Sequence, residues 1–222
     1  MEDILHPVQD DPELVERIAE RKVKRPELAI VEPDPRWPEH FETFKSRILT
    51  AFQKQDAVGQ THIEDGESTI RVDIVAVRHV GSTSVPGLPA KAVIDIDLVL
   101  SSNGLSSEPF YVPRLEAAGF QFLLREPAWH EHRFFYAWEP MPCNLHVWGP
   151  GSAEVERHRI FRDWLREHED DRELYARTKR GCAALSKEKG EGMREYTVAK
   201  DAVVAEILMR AFTKLGYLEK SE

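Results

Sequence analysis

Two cysteines in 222 residues, Cys143 and Cys182, are too few for a disulfide framework or a four-cysteine zinc site. No run approaches the roughly 20 apolar residues that cross a bilayer, and neither an internal repeat nor a low-complexity tract is present. Positive charge is scarce as well: 30 Lys and Arg against 39 Asp and Glu give a net charge of −9 with histidine neutral. That balance excludes a general nucleic-acid coat while leaving room for a local basic patch. Met1–Asp11 is acidic and lacks the basic-then-apolar order of a secretory signal. Together these absences predict a reduced, cytoplasmic compartment and no membrane partner. What remains is a globular composition, 41% hydrophobic and 31% charged, in a chain long enough for one domain with a sizeable core.

Residues 1–29 read as an appendage. Seven acidic side chains fall within Glu2–Glu20, the basic run Arg21, Lys22, Lys24 and Arg25 follows, and the spacing of Leu14, Val15 and Ile18 predicts a short helix. Residues 30–222 read as a single domain, with a sheet core to about 150 and helices over 153–216. Pro33-Asp34-Pro35-Arg36-Trp37-Pro38 suits an extended lead into a helix. Phe41, Phe44, Ile48, Leu49 and Phe52 recur at three- and four-residue steps, which predicts an amphipathic helix over 39–52. The polar stretch from Gln53 to Ser68 predicts a loop. Strands are predicted at 69–80, 92–100, 120–125, 132–138 and 143–148, a short helix at 112–118, and three helices from Ala153 onward. The order gives an α+β domain, a mixed sheet with one helix before it and helices after it.

Asp95 and Asp97 are the sharpest chemical feature. Residues i and i+2 of a strand share a face about 7 Å apart, so the two carboxylates project together while Ile94, Ile96 and Leu98 turn to the core. Adjacent carboxylates repel and call for a shared cation, a metal ion or a guanidinium; otherwise they sit on a solvated face. The loop before them, Gly81-Ser82-Thr83-Ser84, offers a glycine for close backbone approach, amides that can cradle an oxyanion, and three hydroxyls. His79 and His146, with His130 or His132 behind them, are candidate general bases. Ser82 or Ser84 is a candidate nucleophile where a histidine reaches it, and a His/His/Asp/Asp metal site can be drawn from the same residues. Lys91 and Arg133 are candidate anion-binding groups, and Asn144 shares a strand face with His146. In the helical third, Arg159, Arg162 and Arg166 fall opposite Ile160, Phe161, Trp164 and Leu165. Lys179 and Arg180 extend them into a ridge that can follow a phosphate backbone, or serve as solvated surface.

The run His79-Val80-Gly81-Ser82-Thr83-Ser84-Val85-Pro86-Gly87-Leu88-Pro89-Ala90-Lys91, followed by Ile94-Asp95-Ile96, resembles the signature of the GrpB family. The likeness extends from about Ile30 to Phe212 and takes in Val31 to Pro38 and Tyr196-Thr197-Val198-Ala199-Lys200. That family resembles the polymerase-beta-like nucleotidyltransferases in fold. The resemblance therefore implies a nucleotidyltransferase-like mixed β-sheet with flanking helices and a C-terminal helical segment. Such enzymes carry a Gly-Ser loop, two carboxylates separated by one residue, and a third carboxylate on a later strand. Gly81-Ser82 and Asp95/Asp97 match the first two parts. The third place reads Cys143-Asn144-Leu145-His146-Val147-Trp148, where neither Asn144 nor His146 is an anion. Two-metal phosphoryl transfer relies on such carboxylates, and one charge fewer weakens the site.

Some fungal members of the family join arginine to a second amino acid as a cyclodipeptide, drawing both from charged tRNAs. The resemblance thus implies, first, an aminoacyl-tRNA-dependent acyl transferase in which Asp95 and Asp97 grip the arginine guanidinium. Its partners would be arginyl-tRNA and a second charged tRNA, with no DNA and no required cofactor. Ser82, His79, Asp95, Asp97 and His146 would be catalytic, and Gly81, Thr83, Ser84, Lys91, Arg133 and Asn144 would bind substrate. Arg159, Arg162, Arg166, Lys179 and Arg180 would hold tRNA. The alternative is magnesium-dependent nucleotidyl transfer to a small molecule or protein, with Asp95 and Asp97 on the metal. A third reading is a non-catalytic ligand-binding or folding-accessory module, since family members also occur fused to a dephospho-coenzyme A kinase.

Overall fold

Period-two alternation in the middle of the chain builds a mixed six-stranded sheet. The computed structural model describes residues 2–5, 14–53 and 71–218; the loop expected from Gln53 to Ser68 lies, beyond Gln53, outside them. The strands are β1 (Glu16–Arg17), β2 (Ile74–Val80), β3 (Ile94–Leu100), β4 (Gln121–Glu126), β5 (His132–Ala137) and β6 (Cys143–Trp148), in spatial order β1-β4-β5-β6-β3-β2. β3 and β6 run parallel and the other neighbours antiparallel. The helices are α1 (Glu2–Leu5), α2 (Trp37–Gln53), α3 (Glu108–Ala117), α4 (Ala153–Glu167), α5 (Glu169–Lys189), α6 (Met193–Ala199) and α7 (Asp201–Leu215). This is the expected α+β architecture. Among the described residues no helix is long and apolar enough to cross a membrane.

Each face of the sheet has its own role. Ile94, Ile96, Leu98 and Leu100 of β3, Leu145 and Val147 of β6 and Phe135 of β5 pack under Phe41, Phe44 and Ile48 of α2 and Tyr111 and Leu115 of α3. Phe44 and Ile48 are fully enclosed, and burying each is worth about 1.5–3 kcal/mol. The opposite face carries Asp95 and Asp97, then Asn144, His146 and Trp148. The register pairs Asp95 with Asn144 and Asp97 with His146. Helix α4 lies over this face and packs its far side on α7 through Ile160, Leu208, Ala211 and Phe212.

Two local expectations differ from the structure. The short helix expected around Leu14–Ile18 is replaced by strand β1, because the edge of β4 offers carbonyls that helical spacing cannot anticipate. The Ile18 amide donates to Leu123 O at 2.8 Å. Among the described residues the last third holds four helices and not three, since Gly190 caps α5 in the left-handed region and the chain turns again at Lys200.

Candidate functional site

The loop after β2 is built around Gly81, whose φ of 65° and ψ of −172° belong to a region that essentially glycine alone occupies. This conformation folds the chain against Asp95. A β-carbon at position 81 would stand 2.5 Å from Asp95 Oδ2. From the other side the Asn144 amide donates to Asp95 Oδ1 at 2.7 Å. Asp95, half-buried, is therefore fixed between the loop and β6. The other loop hydroxyls turn inward. Thr83 Oγ1 donates to Val93 O at 3.1 Å and meets His79 Nε2 at 3.0 Å, while Ser84 Oγ donates to Gly81 O at 2.6 Å. Thr83 and Ser84 are thus internal supports and not the substrate contacts expected of them. Ser82 lies beside the Tyr175 phenol of α5, next to Asp95, and among the described residues no histidine is paired with either serine.

Asp97 shares the face of Asp95, as the strand spacing requires, but its charge is already used. It is fully buried. Trp148 Nε1 donates to Oδ1 at 2.9 Å, and His158 Nδ1 of α4 reaches Oδ2 at 2.9 Å and Oδ1 at 3.1 Å. Burial opposes a charged imidazole, yet the charge and hydrogen bond of Asp97 prevail and push His158 up to about 9. Burial likewise tends to raise Asp97, but the charge and hydrogen bond of His158, with His146 and Trp148 adding to them, hold it below the usual carboxylate range. The pair of carboxylates expected to share a ligand's cation is thus split, and the cation on Asp97 is the protein's own.

Beside this ion pair runs a second chain of contacts. Glu126 Oε2 lies 2.6 Å from His132 Nδ1, and His132 Nε2 lies 3.0 Å from His146 Nδ1. Trp148 stacks on His132 with ring centroids 4.2 Å apart. Burial lowers His132 to about 3 and His146 to about 4, so both are neutral at physiological pH.

Two expected site residues lie on the wrong face. His79 is opposite Ile96 in the β2–β3 ladder and stacks on Phe41 of α2 at 4.8 Å, where burial, then Arg166 and Arg162, lower it to about 4. Arg133 is opposite Val147 and its Nε donates to Glu108 of α3 at 2.9 Å. Both belong to the core side, because neighbouring residues of a strand alternate.

The arginines and lysine of the expected basic ridge are largely engaged with the protein itself, although Arg166 and Arg180 keep exposed side chains. Arg162 donates to His79 O at 3.0 Å, and Arg166 donates to Ser84 O at 2.7 and 3.1 Å, supplying partners to backbone carbonyls of the loop. Arg159 is held by Glu156 and by Asp163 at 3.3 Å. Lys179 is buried against Pro89 O and Tyr175, and Arg180 pairs with Glu32.

Positive charge gathers instead around Asp95. A cavity of about 480 Å³ is lined by Arg25, Lys91, Phe134, Tyr136, Asn144 and His146, among others. Lys200 lies beside Lys91; burial lowers both, and Asp95 opposes the shift in each. Burial lowers Lys179 to about 7, with Lys200 and Lys91 adding to the shift. Arg25, Lys200, Tyr175, Glu126, Trp148 and His158 were not among the site residues expected from the sequence. For His158 a signal exists: with Arg162 and Arg166 it forms a three-residue stripe at four-residue spacing along α4, the stripe that faces the sheet.

The donor set does not fit the two-magnesium centre that the fold suggests. Both Asp97 oxygens accept from Trp148 and His158, the Asn144 amide occupies one Asp95 oxygen, and Asn144 and His146 stand where a third carboxylate belongs. Among the described residues no group of three or more His, Cys, Asp or Glu side chains could hold a metal ion.

A family model described as GrpB protein matches residues 27–210. The UPF0157 protein BH1888 of Halalkalibacterium halodurans is 39% identical over 202 residues, covering 90% of this chain and 91% of that protein. The UPF0157 protein PA4798 of Pseudomonas aeruginosa is 36% identical over 188 residues, covering 83% and 67%. A protein named dephospho-CoA kinase from Mycolicibacterium paratuberculosis is 29% identical over 190 residues; the match covers 74% of this chain and 42% of that protein. Among solved structures, the conserved protein GrpB from Enterococcus faecalis superposes with a TM-score of 0.62 at 22% identity, covering 85% of this chain and 99% of that one. That likeness is one of fold and agrees with a nucleotidyltransferase-like architecture.

Proposed function

We propose that this chain, which belongs to the GrpB family, is a transferase whose cavity takes a phosphate-bearing substrate without a metal pair on Asp95 and Asp97. The observation that carries this reading is the charge balance of the cavity. His158 neutralises Asp97, which leaves Arg25, Lys91 and Lys200 around Asp95, with Glu27 on the cavity wall and Asp201 beside Lys200. Burial has already cost these cations part of their hydration, and a phosphate group supplies the oxygens they lack. Lys91 and Lys200 lie inside the family-matched range and Arg25 just before it. The same charges speak against an arginine guanidinium as the group held by Asp95, since Arg25 and Lys91 would repel it. In phosphoryl transfer most of the catalysis is positioning and charge stabilisation, and fixed side-chain cations can supply both.

Acyl transfer from a charged tRNA, the cyclodipeptide reading, has one observation in its favour. Ser82 is half-buried beside Asp95 and the Tyr175 phenol, where a serine could receive an acyl group. A charged tRNA also ends in phosphate-linked nucleotides, so the same cations would serve it. Calorimetric titrations with inorganic pyrophosphate, ATP and arginyl-tRNA, all in EDTA, separate the two. Pyrophosphate or ATP should bind, and Lys91→Gln should weaken that binding roughly ten- to a hundredfold, the value of one charge-assisted hydrogen bond. Binding of arginyl-tRNA alone would transfer support to acyl transfer. Silence with all three ligands would overturn both.

A further inference from the structure

Glu126, His132 and His146 form a hydrogen-bonded line that ends at the cavity, and binding of a phosphate makes no use of it. The direction of its protons follows from the donors available. An ionised Glu126 can only accept, so His132 donates from Nδ1. In a neutral imidazole the other nitrogen is then a bare acceptor. His132 Nε2 therefore accepts from His146 Nδ1, and in the equally neutral His146 the proton on Nδ1 leaves Nε2 bare. His146 lines the cavity, and its Nε2 makes no hydrogen bond among the described residues. We infer that His146 is the proton acceptor of this site, a catalytic residue whose tautomer is set by two positioning residues, His132 and Glu126.

The neighbouring histidine cannot take that part. His158 is 6.2 Å from His146, ring centre to ring centre, and its Nδ1 is bound to Asp97 as a charged pair. The step balances within the chain of contacts. The O–H bond of an acceptor hydroxyl breaks as its oxygen bonds to the transferred group, and the leaving group departs with its electron pair. The released proton goes to His146 Nε2, the Nδ1 proton of His146 can pass to His132 Nε2, and the Nδ1 proton of His132 to Glu126. Both imidazoles end neutral and Glu126 ends protonated. Burial already raises the affinity of Glu126 for that proton.

The identity of the hydroxyl rests on the phosphate-bearing reading above, whereas the tautomer does not, and the experiment keeps them apart. Protein labelled with ¹⁵N-histidine is observed by long-range ¹H–¹⁵N correlation at about pH 7.5, where a free neutral imidazole favours the Nε2–H form. His146 and His132 should both show a protonated Nδ1 and a pyridine-type Nε2. In His132→Phe, which removes the acceptor, His146 should revert to Nε2–H. Diethylpyrocarbonate should acylate His146 at its bare nitrogen, and inorganic pyrophosphate should protect it. A wild-type His146 that is Nε2–H or doubly protonated would overturn the inference, whether or not His132→Phe folds. The expected tautomer without protection by pyrophosphate would uphold it and count against the phosphate-bearing reading alone.

Discussion

Replacing Asp97 with asparagine removes the anion that keeps His158 charged and leaves the shape of the site nearly unchanged. The amide oxygen can still accept from Trp148 Nε1, and no cavity opens. What is lost is the linkage between folding and protonation of His158. Its pKa in the fold is about 9 against about 6.5 for an ordinary histidine, and at pH 7 that difference corresponds to about 2.5 kcal/mol. The His158 side chain retains 31% exposure, and solvent screening brings the figure to about 2 kcal/mol. The sign is that of a raised pKa: the stabilisation is complete below about pH 6.5 and disappears as pH rises through about 9. Urea unfolding of wild type and Asp97→Asn, followed by tryptophan fluorescence, should therefore differ by about 2 kcal/mol near pH 7 and by only a few tenths near pH 9.5. An equal gap at both pH values would refute the ion pair.

Gly81→Ala should destabilise the fold by about 1–3 kcal/mol from its backbone conformation alone and should also displace the Asp95 carboxylate, which a β-carbon would approach to 2.5 Å. A thermal melt unchanged from wild type would contradict the loop geometry. On the acid side, His79, His132 and His146 are held at about 4, 3 and 4, so the unfolded chain takes up protons first. Their contribution is complete above about pH 6.5 and is lost as pH falls toward 4, by up to about 1.4 kcal/mol per histidine per pH unit. Urea midpoints that stay flat between about pH 6.5 and 5 would show that these rings are not buried neutral.

The sequence pattern located the strands well where apolar residues alternate, and β6 coincides with its expected span. It also placed Asp95 and Asp97 on one face, because the period of a strand leaves no other choice. It did not locate His79, since Ile74 to Val80 is apolar at both parities and only the ladder to β3 decides which residues turn to α2. Arg133 misled for a related reason: its face is fixed by Glu108, 25 residues away, and a buried arginine is indistinguishable in sequence from a binding one. The arginines of α4 share a side, as helical spacing indicates, but spacing alone could not tell solvent from a loop whose carbonyls lack partners. The stripe of His158, Arg162 and Arg166 was the available clue. A histidine at the head of a stripe of arginines is more informative than the arginines themselves.

In the two-metal enzymes of this fold, carboxylates draw divalent ions to the site and the ions draw the phosphate. Here each place in that arrangement is satisfied by a neighbour: Asp95 by Asn144, Asp97 by Trp148 and His158, and His146 by His132. A site closed in this way has no need to recruit cations, and in the proposed reading it carries them permanently on side chains. Those side chains come from segments outside the sheet. Arg25 belongs to the stretch that follows β1 along the edge of β4, Lys91 to the link into β3, and Lys200 to the turn between α6 and α7. The scaffold and the charges are thus specified separately. The sheet positions Asp95 and His146 through local register, while the affinity for an anion depends on distant segments closing over that face. For that reason the carboxylates, the most conspicuous feature of the sequence, are a poor guide to the ligand, and the cations around them a better one.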